Sequence, residues 1–180
     1  MKNVQLTLKN GQNIIGREFD EKDYKGMISF LNDIKINNLF LNNLGGRKIN
    51  VPDVISEGIF CYHYNAIRTN GTAKSYDCVD IITKDGIQVK SASIEKDCTS
   101  FGPKSTWDKL YFIDFSNFIN CKTNTIDFYL IDIDLSSIVL NEKKHETFKQ
   151  QQKQNRRPRL SLKKLIKKHN IKIDKTIIVI

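Results

Sequence analysis

The chain has 180 residues, of which 39% are hydrophobic and 27% charged, so it can form one compact domain with a true core. No apolar run is long enough to cross a bilayer and only 4 cysteines are present, which excludes membrane proteins, secreted disulfide scaffolds and collagen-like chains. The net charge of +9 is uneven, because residues 143–172 contain twelve basic residues and one acid, against seventeen and nineteen elsewhere. This concentration of positive charge indicates a polyanion-binding segment.

The first part of the chain predicts a hairpin and two helices. Residues 4–15 alternate in polarity around a turn, which is typical of a small hairpin. Apolar residues at near-helical spacing predict an amphipathic helix over 21–42. A second helix is predicted to begin at Pro52-Asp53, because proline and an acid suit a first helical turn, and to extend to about Arg68.

The rest of the chain predicts strands followed by helices. The predicted strands are 76–82, 87–94, 110–115 and 125–134, and the predicted helices are 141–154 and 161–169. This order indicates one α/β domain over residues 1–180, with a central mixed β-sheet flanked by helices and a basic DNA-binding segment over about 143–172.

Two further features concern the compartment. Cys61, Cys78, Cys98 and Cys121 have no zinc-site spacing, so we expect buried reduced thiols. The first residues lack the apolar stretch of a secretion signal, which predicts a cytoplasmic protein that does not associate with a membrane.

The second predicted hairpin carries an unusual polar pair. Gln88 and Lys90 are two residues apart on a strand, so both leave the same face of the sheet, whereas Ile87 and Val89 point to the core. Burying polar side chains on such a strand costs free energy, so their presence suggests a functional role.

Hairpin geometry decides which aspartate joins this pair. A four-residue loop places Val79 opposite Lys90, which puts Asp77 on the face of Gln88 and Lys90, although a bulge is then needed to bring it close. A three-residue loop would place Asp80 there instead. We favour Asp77.

An acid, an amide and an ammonium on one face suit metal-assisted phosphodiester hydrolysis. Mg²⁺ prefers oxygen ligands, and Lys90 can orient a nucleophile or offset developing negative charge. Because the amide of Gln88 is a weaker ligand than a carboxylate, another acid is expected. Glu57 is the candidate, since it shares a helical face with Phe60 and Cys61, where an unpaired acid would be costly.

These residues resemble a known family. Asp77, ten residues, then Gln88-Val89-Lys90, after a helix carrying Glu57, is similar to the PD-(D/E)XK nuclease core and to the active-site hairpin of PvuII-like enzymes, with glutamine in place of glutamate. The segments 99–103, 107–108, 148–152 and 156–159 look like the small type II restriction endonucleases that read GCNGC, a resemblance over roughly residues 50–170. The literal Pro52-Asp53 lies too far upstream of Gln88 to belong to the motif.

The resemblance implies a Mg²⁺-dependent endonuclease that cuts both strands of duplex DNA at GCNGC. Because this site is nearly palindromic, the enzyme is expected to act as a two-fold symmetric homodimer. It implies that Asp77, Gln88, Glu57 and the main chain of Val89 form the metal site, and that Lys90 is the catalytic lysine.

Guanine bases call for arginine donors, because a guanidinium can contact O6 and N7 together. Three of the six arginines lie within four residues, and lysines on the last helix suit phosphates. The candidate DNA-binding residues are Ser100, Lys104, Ser105, Gln151, Arg156, Arg157, Arg159, Lys163 and Lys164. Two alternatives stay open: a nuclease of the same core that acts in repair or on branched DNA, and a non-catalytic nucleic-acid binder.

Overall fold

The computed structural model describes residues 1–70 and 76–179. The strands are β1 (Lys2–Thr7), β2 (Asn13–Glu18), β3 (Ala66–Thr69), β4 (Cys78–Asp80), β5 (Gly86–Ala92), β6 (Thr99–Ser100), β7 (Lys109–Asp114), β8 (Thr125–Leu130), β9 (Val139–Asn141), β10 (Glu146–Thr147), β11 (Arg159–Leu160) and β12 (Lys175–Ile178). The α-helices are α1 (Glu21–Asn43), α2 (Asp53–Tyr64), α3 (Ser116–Ile119), α4 (Phe148–Lys153) and α5 (Leu162–His169).

The centre of the fold is an eight-stranded sheet with the order β1-β2-β3-β4-β5-β7-β8-β12. Strands β5 and β7 run parallel, and the other paired neighbours run antiparallel. The predicted mixed sheet flanked by helices is therefore confirmed. Two small sheets, β9–β10 and β6–β11, lie outside it.

Apolar side chains cover both faces of this sheet. On one face, Leu31 of α1 and Phe60 of α2 share a core with Val89 of β5. On the other face, Phe112 of β7 packs in a second core with Leu162 of α5. The basic C-terminal segment is therefore part of the folded domain. Within the described ranges, no helix has both the length and the apolar character that crossing a membrane requires.

Local sequence explains where the two long helices begin and end. The Asp20 carboxylate accepts the N–H of Asp23 at 2.9 Å, and the Asp23 carboxylate accepts the N–H of Asp20 at 3.1 Å, so a capping box starts α1. Helix α2 ends because Asn65 adopts a left-handed conformation with φ 50°, which asparagine tolerates. The prediction that this helix extends to Arg68 was wrong, since Ala66–Thr69 form β3.

The C-terminal part differs more from the sequence prediction. The helix predicted over 141–154 was wrong in its first half, which forms the end of β9, a 3-10 turn and β10. His145 has φ 49°, which stops a continuous helix, and α4 begins only after a new capping box between Thr147 and Gln150. The helix predicted over 161–169 is confirmed as α5, whereas β12 was not predicted.

Candidate active site

The hairpin β4–β5 has a different register from the predicted one. Cys78 pairs with Ile87 and Val79 with Gly86, so the predicted pairing of Val79 with Lys90 was wrong. The longer connection arises because the Asp80 carboxylate accepts the N–H groups of Ile82 and Thr83, each at 2.8 Å, and folds the chain into a wider turn.

Asp77 lies directly before β4, where its N–H donates to the carbonyl of Ile87 at 3.0 Å, and its side chain reaches Gln88 and Val89. The Oδ2 atom of Asp77 accepts hydrogen bonds from the side-chain amide of Gln88 and from the N–H of Val89, the latter at 3.0 Å. Asp80, the alternative candidate, has its carboxylate engaged in the turn. Burial raises the pKa of Asp77, and the positive charge of Lys90 acts against this rise.

Lys90 projects from the same strand into a cleft of about 470 Å³. Its Nζ lies 5.8 Å from the centre of the Phe101 ring. The cleft is lined by Asn50, Val51, Asp53, residues 89–94, Lys96, Asp97, Cys98, Thr99, Ser100 and Arg157. The ammonium group therefore shares one open space with residues of the catalytic strand, the α2 start and the basic segment.

Glu57 is buried on α2 and forms an ion pair with Arg68 of β3. Burial and the negative charge of Asp77 raise the pKa of Glu57 to about 7, against the opposing effect of Arg68. The two carboxyl groups are therefore close enough to interact, and the ion pair with Arg68 gives Glu57 a partner that the sequence pattern did not indicate.

Asp53 is the acid that the sequence reasoning set aside. It is the first residue of α2, as predicted, and it also lines the cleft that contains Lys90. Its negative charge contributes to the raised pKa of both Glu57 and Asp77. The signal that could have identified it is the spacing of four between Asp53 and Glu57, which places both on one helical face.

The cysteines are divided between core and surface. Cys61 and Cys78 are buried, with their Sγ atoms 3.4 Å apart as free thiols, whereas Cys98 and Cys121 are exposed. The expectation of four buried thiols was therefore wrong for two of them. In the part of the chain that the structure describes, no three histidine, cysteine, aspartate or glutamate side chains are grouped to hold a metal ion.

The basic segment is joined to the rim of this cleft. Ser100 of β6 pairs with Arg159 of β11, and the N–H of Phe101 donates to the carbonyl of Pro158 at 3.0 Å. Asp97 caps α5 by accepting the N–H of Leu162 at 2.7 Å. These contacts hold the arginine-rich segment next to the β4–β5 hairpin and the cleft that contains Lys90.

The predicted DNA-binding residues fall into two groups. Lys104, Arg157, Arg159 and Lys164 are exposed, and Ser100 and Ser105 are half-buried in the loop that follows β5. The other three predicted residues are held by protein partners. Gln151 is buried and donates to Glu146 at 2.8 Å; Arg156 pairs with the same carboxylate at 2.8 Å.

Lys163 belongs to this second group. Its Nζ lies 2.8 Å from Oδ1 of Asp114 at the end of β7 and donates to the Ser116 hydroxyl at 2.6 Å. The expectation that it binds DNA phosphates therefore differs from its place in the structure, where it joins α5 to the central sheet.

Comparisons with known proteins identify a family to which the chain is similar. The family described as Bsp6I restriction endonuclease matches residues 19–169. The chain is 35% identical over 133 residues to the type II restriction enzyme Bsp6I of Bacillus sp. (strain RFL6), and the match covers 72% of each chain. No solved structure is significantly similar to the chain.

Proposed function

Because this chain belongs to the Bsp6I restriction endonuclease family and is a type II site-specific endodeoxyribonuclease, we propose that it cuts both strands of duplex DNA at GCNGC, with Mg²⁺, as a homodimer built on a PD-(D/E)XK core. The observation that supports this proposal best is the contact of Asp77 with Gln88, two residues before Lys90 on β5, whose positive charge acts on Asp77. This arrangement is consistent with the PvuII-like hairpin that the sequence resemblance implies.

The donors around Asp77 fit a hard cation. The carboxylate of Asp77 and the main-chain carbonyl of Val89 offer the oxygen ligands that Mg²⁺ prefers, and the carboxylate of Glu57 is near enough to interact electrostatically with Asp77. The amide of Gln88 turns its NH₂ group to Asp77, so Gln88 supports Asp77 instead of acting as the ligand that the resemblance implies. When bound, Mg²⁺ polarises the scissile phosphate and lowers the pKa of a coordinated water. In this proposal Asp77 and Glu57 supply the negative charge that holds the ion, and Gln88 orients Asp77.

Lys90 is the catalytic lysine of the proposal. It lines the cleft, and its positive charge opposes the rise that burial causes in the pKa of Asp77, so its ammonium group lies where a phosphate would approach the metal site. There it offsets the negative charge that develops on the phosphate oxygens and orients the attacking water.

Arg157 and Arg159 are proposed to read guanine bases. Arg157 lines the cleft and is exposed, and Arg159 is held next to Ser100 by the β6–β11 pairing. A guanidinium can contact O6 and N7 of guanine together. Because this segment is already ordered, it loses little conformational entropy when it binds DNA. Lys104 and Lys164 are placed for phosphates, with Ser100 and Ser105 as polar companions.

A plasmid digest tests the proposed activity. Purified protein with Mg²⁺ is expected to cut a plasmid of known sequence into discrete fragments whose ends all map to GCNGC, and to leave a plasmid without that site intact. Addition of a chelator is expected to stop cutting. Fragments that end at another sequence would refute the GCNGC assignment, and cutting in the chelator would refute the metal requirement.

A further inference from the structure

Helix α1 is apolar on two opposite faces. Its inner face, with Met27, Leu31 and Ile34, packs in the core, as expected for an amphipathic helix. Large apolar side chains also cover the outer face of its C-terminal half, where the exposed fractions are 64% for Ile36, 48% for Leu39, 61% for Phe40 and 67% for Leu44.

These side chains form one surface, which we call the α1 outer face: Ile36, Leu39, Phe40 and Leu44. Residues 36, 40 and 44 are four apart and therefore line up along the helix, with Leu39 beside them. Four large side chains, each about half exposed out of roughly 150–250 Å², give an apolar patch on the order of 400 Å². A contiguous patch of that size on a soluble chain is typical of an interaction site.

The charge of this region indicates what covers it. Residues 36–46 contain no lysine, arginine, aspartate or glutamate, the longest such run in the chain. The positive charge of the protein is concentrated in residues 143–172, so an uncharged apolar face elsewhere can meet its own copy without like-charge repulsion. A DNA duplex or an anionic membrane would instead require basic residues on this face.

We propose that the α1 outer face is the homodimer interface, with α1 packed against α1 of a second copy about a two-fold axis. The inference deepens the proposed function, because it assigns a surface to the homodimer that two-strand cleavage requires. A self-complementary patch is what a two-fold contact needs. With the polar residues around it, a patch of roughly 400 Å² can reach the approximately 800 Å² per partner of a standard interface.

The oligomeric state of surface variants tests this interface. Phe40→Glu places a charge at the centre of the patch and is expected to raise the dimer dissociation constant at least about 30-fold, as loss of an interface hot spot does. Since Phe40 is exposed, the variant should keep the circular dichroism spectrum and melting temperature of the wild type. Ile15→Glu is the matched control, because Ile15 is 56% exposed on β2 rather than on α1.

Analytical ultracentrifugation is expected to show a dimer for the wild type and Ile15→Glu, and a monomer for Phe40→Glu at the same concentration. A second measurement uses Phe40→Cys in a Cys98→Ser, Cys121→Ser background, which should form a disulfide-linked dimer on oxidation. A wild-type mass for Phe40→Glu, a monomeric wild type, or no cross-link would overturn the proposal.

The same experiment distinguishes failure of the proposed interface from failure of the proposed nuclease activity. If Phe40→Glu dissociates a wild-type dimer that shows no Mg²⁺-dependent cutting, the interface stands and the proposed chemistry fails. If the wild type cuts GCNGC but Phe40→Glu remains a dimer, the chemistry stands and the interface is wrong.

Discussion

The side-chain amide of Gln88 donates a hydrogen bond to the carboxylate of Asp77. Because an ionised carboxylate only accepts hydrogen bonds, the NH₂ group of Gln88 must face it, and this fixes the orientation of the amide. The N–H of Val89 donates to the same oxygen at 3.0 Å. Gln88 therefore holds Asp77 in place without adding a second negative charge, a role that a glutamate could not fill.

Gln88→Glu is predicted to lower the stability of the protein and to raise its affinity for Mg²⁺. Without metal, the variant loses the hydrogen bond and sets two carboxylates side by side, so its free energy of unfolding should fall by about 1–3 kcal/mol. Mg²⁺ should bind roughly tenfold more tightly, because affinity follows the charge of the ligands. Urea unfolding in a chelator and calorimetric Mg²⁺ titration measure both effects; unchanged values in both would contradict the role assigned to Gln88.

Removal of the acid or the lysine is predicted to abolish cutting. Asp77→Ala and Lys90→Ala should each lower the rate of plasmid cleavage at least about a thousandfold, because they remove metal-binding charge and phosphate stabilisation. Affinity for duplex DNA should stay largely intact, since most contacts lie elsewhere. Asp80→Asn and Lys109→Ala are the controls on the same sheet and should retain cutting. Cleavage by Asp77→Ala would refute the site assignment.

Glu57 is predicted to make the stability of the metal-free protein depend on pH. Burial raises its pKa from 4.5 to about 7, so the folded state keeps a proton that the unfolded state has lost between these values. The free energy of unfolding should therefore decrease as the pH rises from about 4.5 to about 7, and then level off. Glu57→Gln has no such proton, so its stability relative to the wild type should increase by about 2–4 kcal/mol over that interval.

Urea unfolding of both proteins in a chelator, from pH 5 to pH 8, measures this difference. Mg²⁺ should restore wild-type stability at pH 8 if Glu57 takes part in the metal site, because the cation favours the ionised form. Parallel pH curves for the wild type and Glu57→Gln would show that Glu57 does not titrate as described.

The sequence predicted which side chains share a face of β5 better than it predicted the turn between β4 and β5. Alternation along β5 identified Gln88 and Lys90 correctly as one face, because side chains on any strand alternate. The register of the hairpin depended on the Asp80 carboxylate folding the turn, a local hydrogen-bond choice that spacing alone does not reveal. The choice of Asp77 over Asp80 agrees with the observed contacts although the predicted register was wrong.

Tertiary partners explain most of what sequence patterns missed. Gln151 and Arg156 look like free polar residues in a basic segment, yet both bind Glu146, the one acid among residues 143–172. Strand β12 is short and exists because it pairs with β8, from Lys175 opposite Phe128 to Ile178 opposite Thr125. None of these partners follows from the helical or strand period of the sequence, so periodicity carries no signal of them.

The two kinds of basic residue near the cleft are predicted to differ in DNA binding. Arg157→Ala should weaken binding to a GCNGC duplex by about 1–3 kcal/mol, with a much smaller loss on a scrambled duplex, because a bidentate contact to guanine is removed. Lys164→Ala should weaken both duplexes equally and reduce the salt dependence of binding by about one phosphate contact. Fluorescence anisotropy with both duplexes at several salt concentrations, in a chelator, distinguishes these outcomes.

Arg156→Ala is the matched arginine control, since Arg156 is one residue away but pairs with Glu146 at 2.8 Å. Its loss should lower the melting temperature, because Glu146 is left without a cationic partner, and should change the preference for GCNGC little. Equal losses on both duplexes for Arg157→Ala and Lys164→Ala would show that Arg157 contacts only the phosphate backbone. A loss of preference in Arg156→Ala, with Arg157→Ala unaffected, would move the base contact to Arg156.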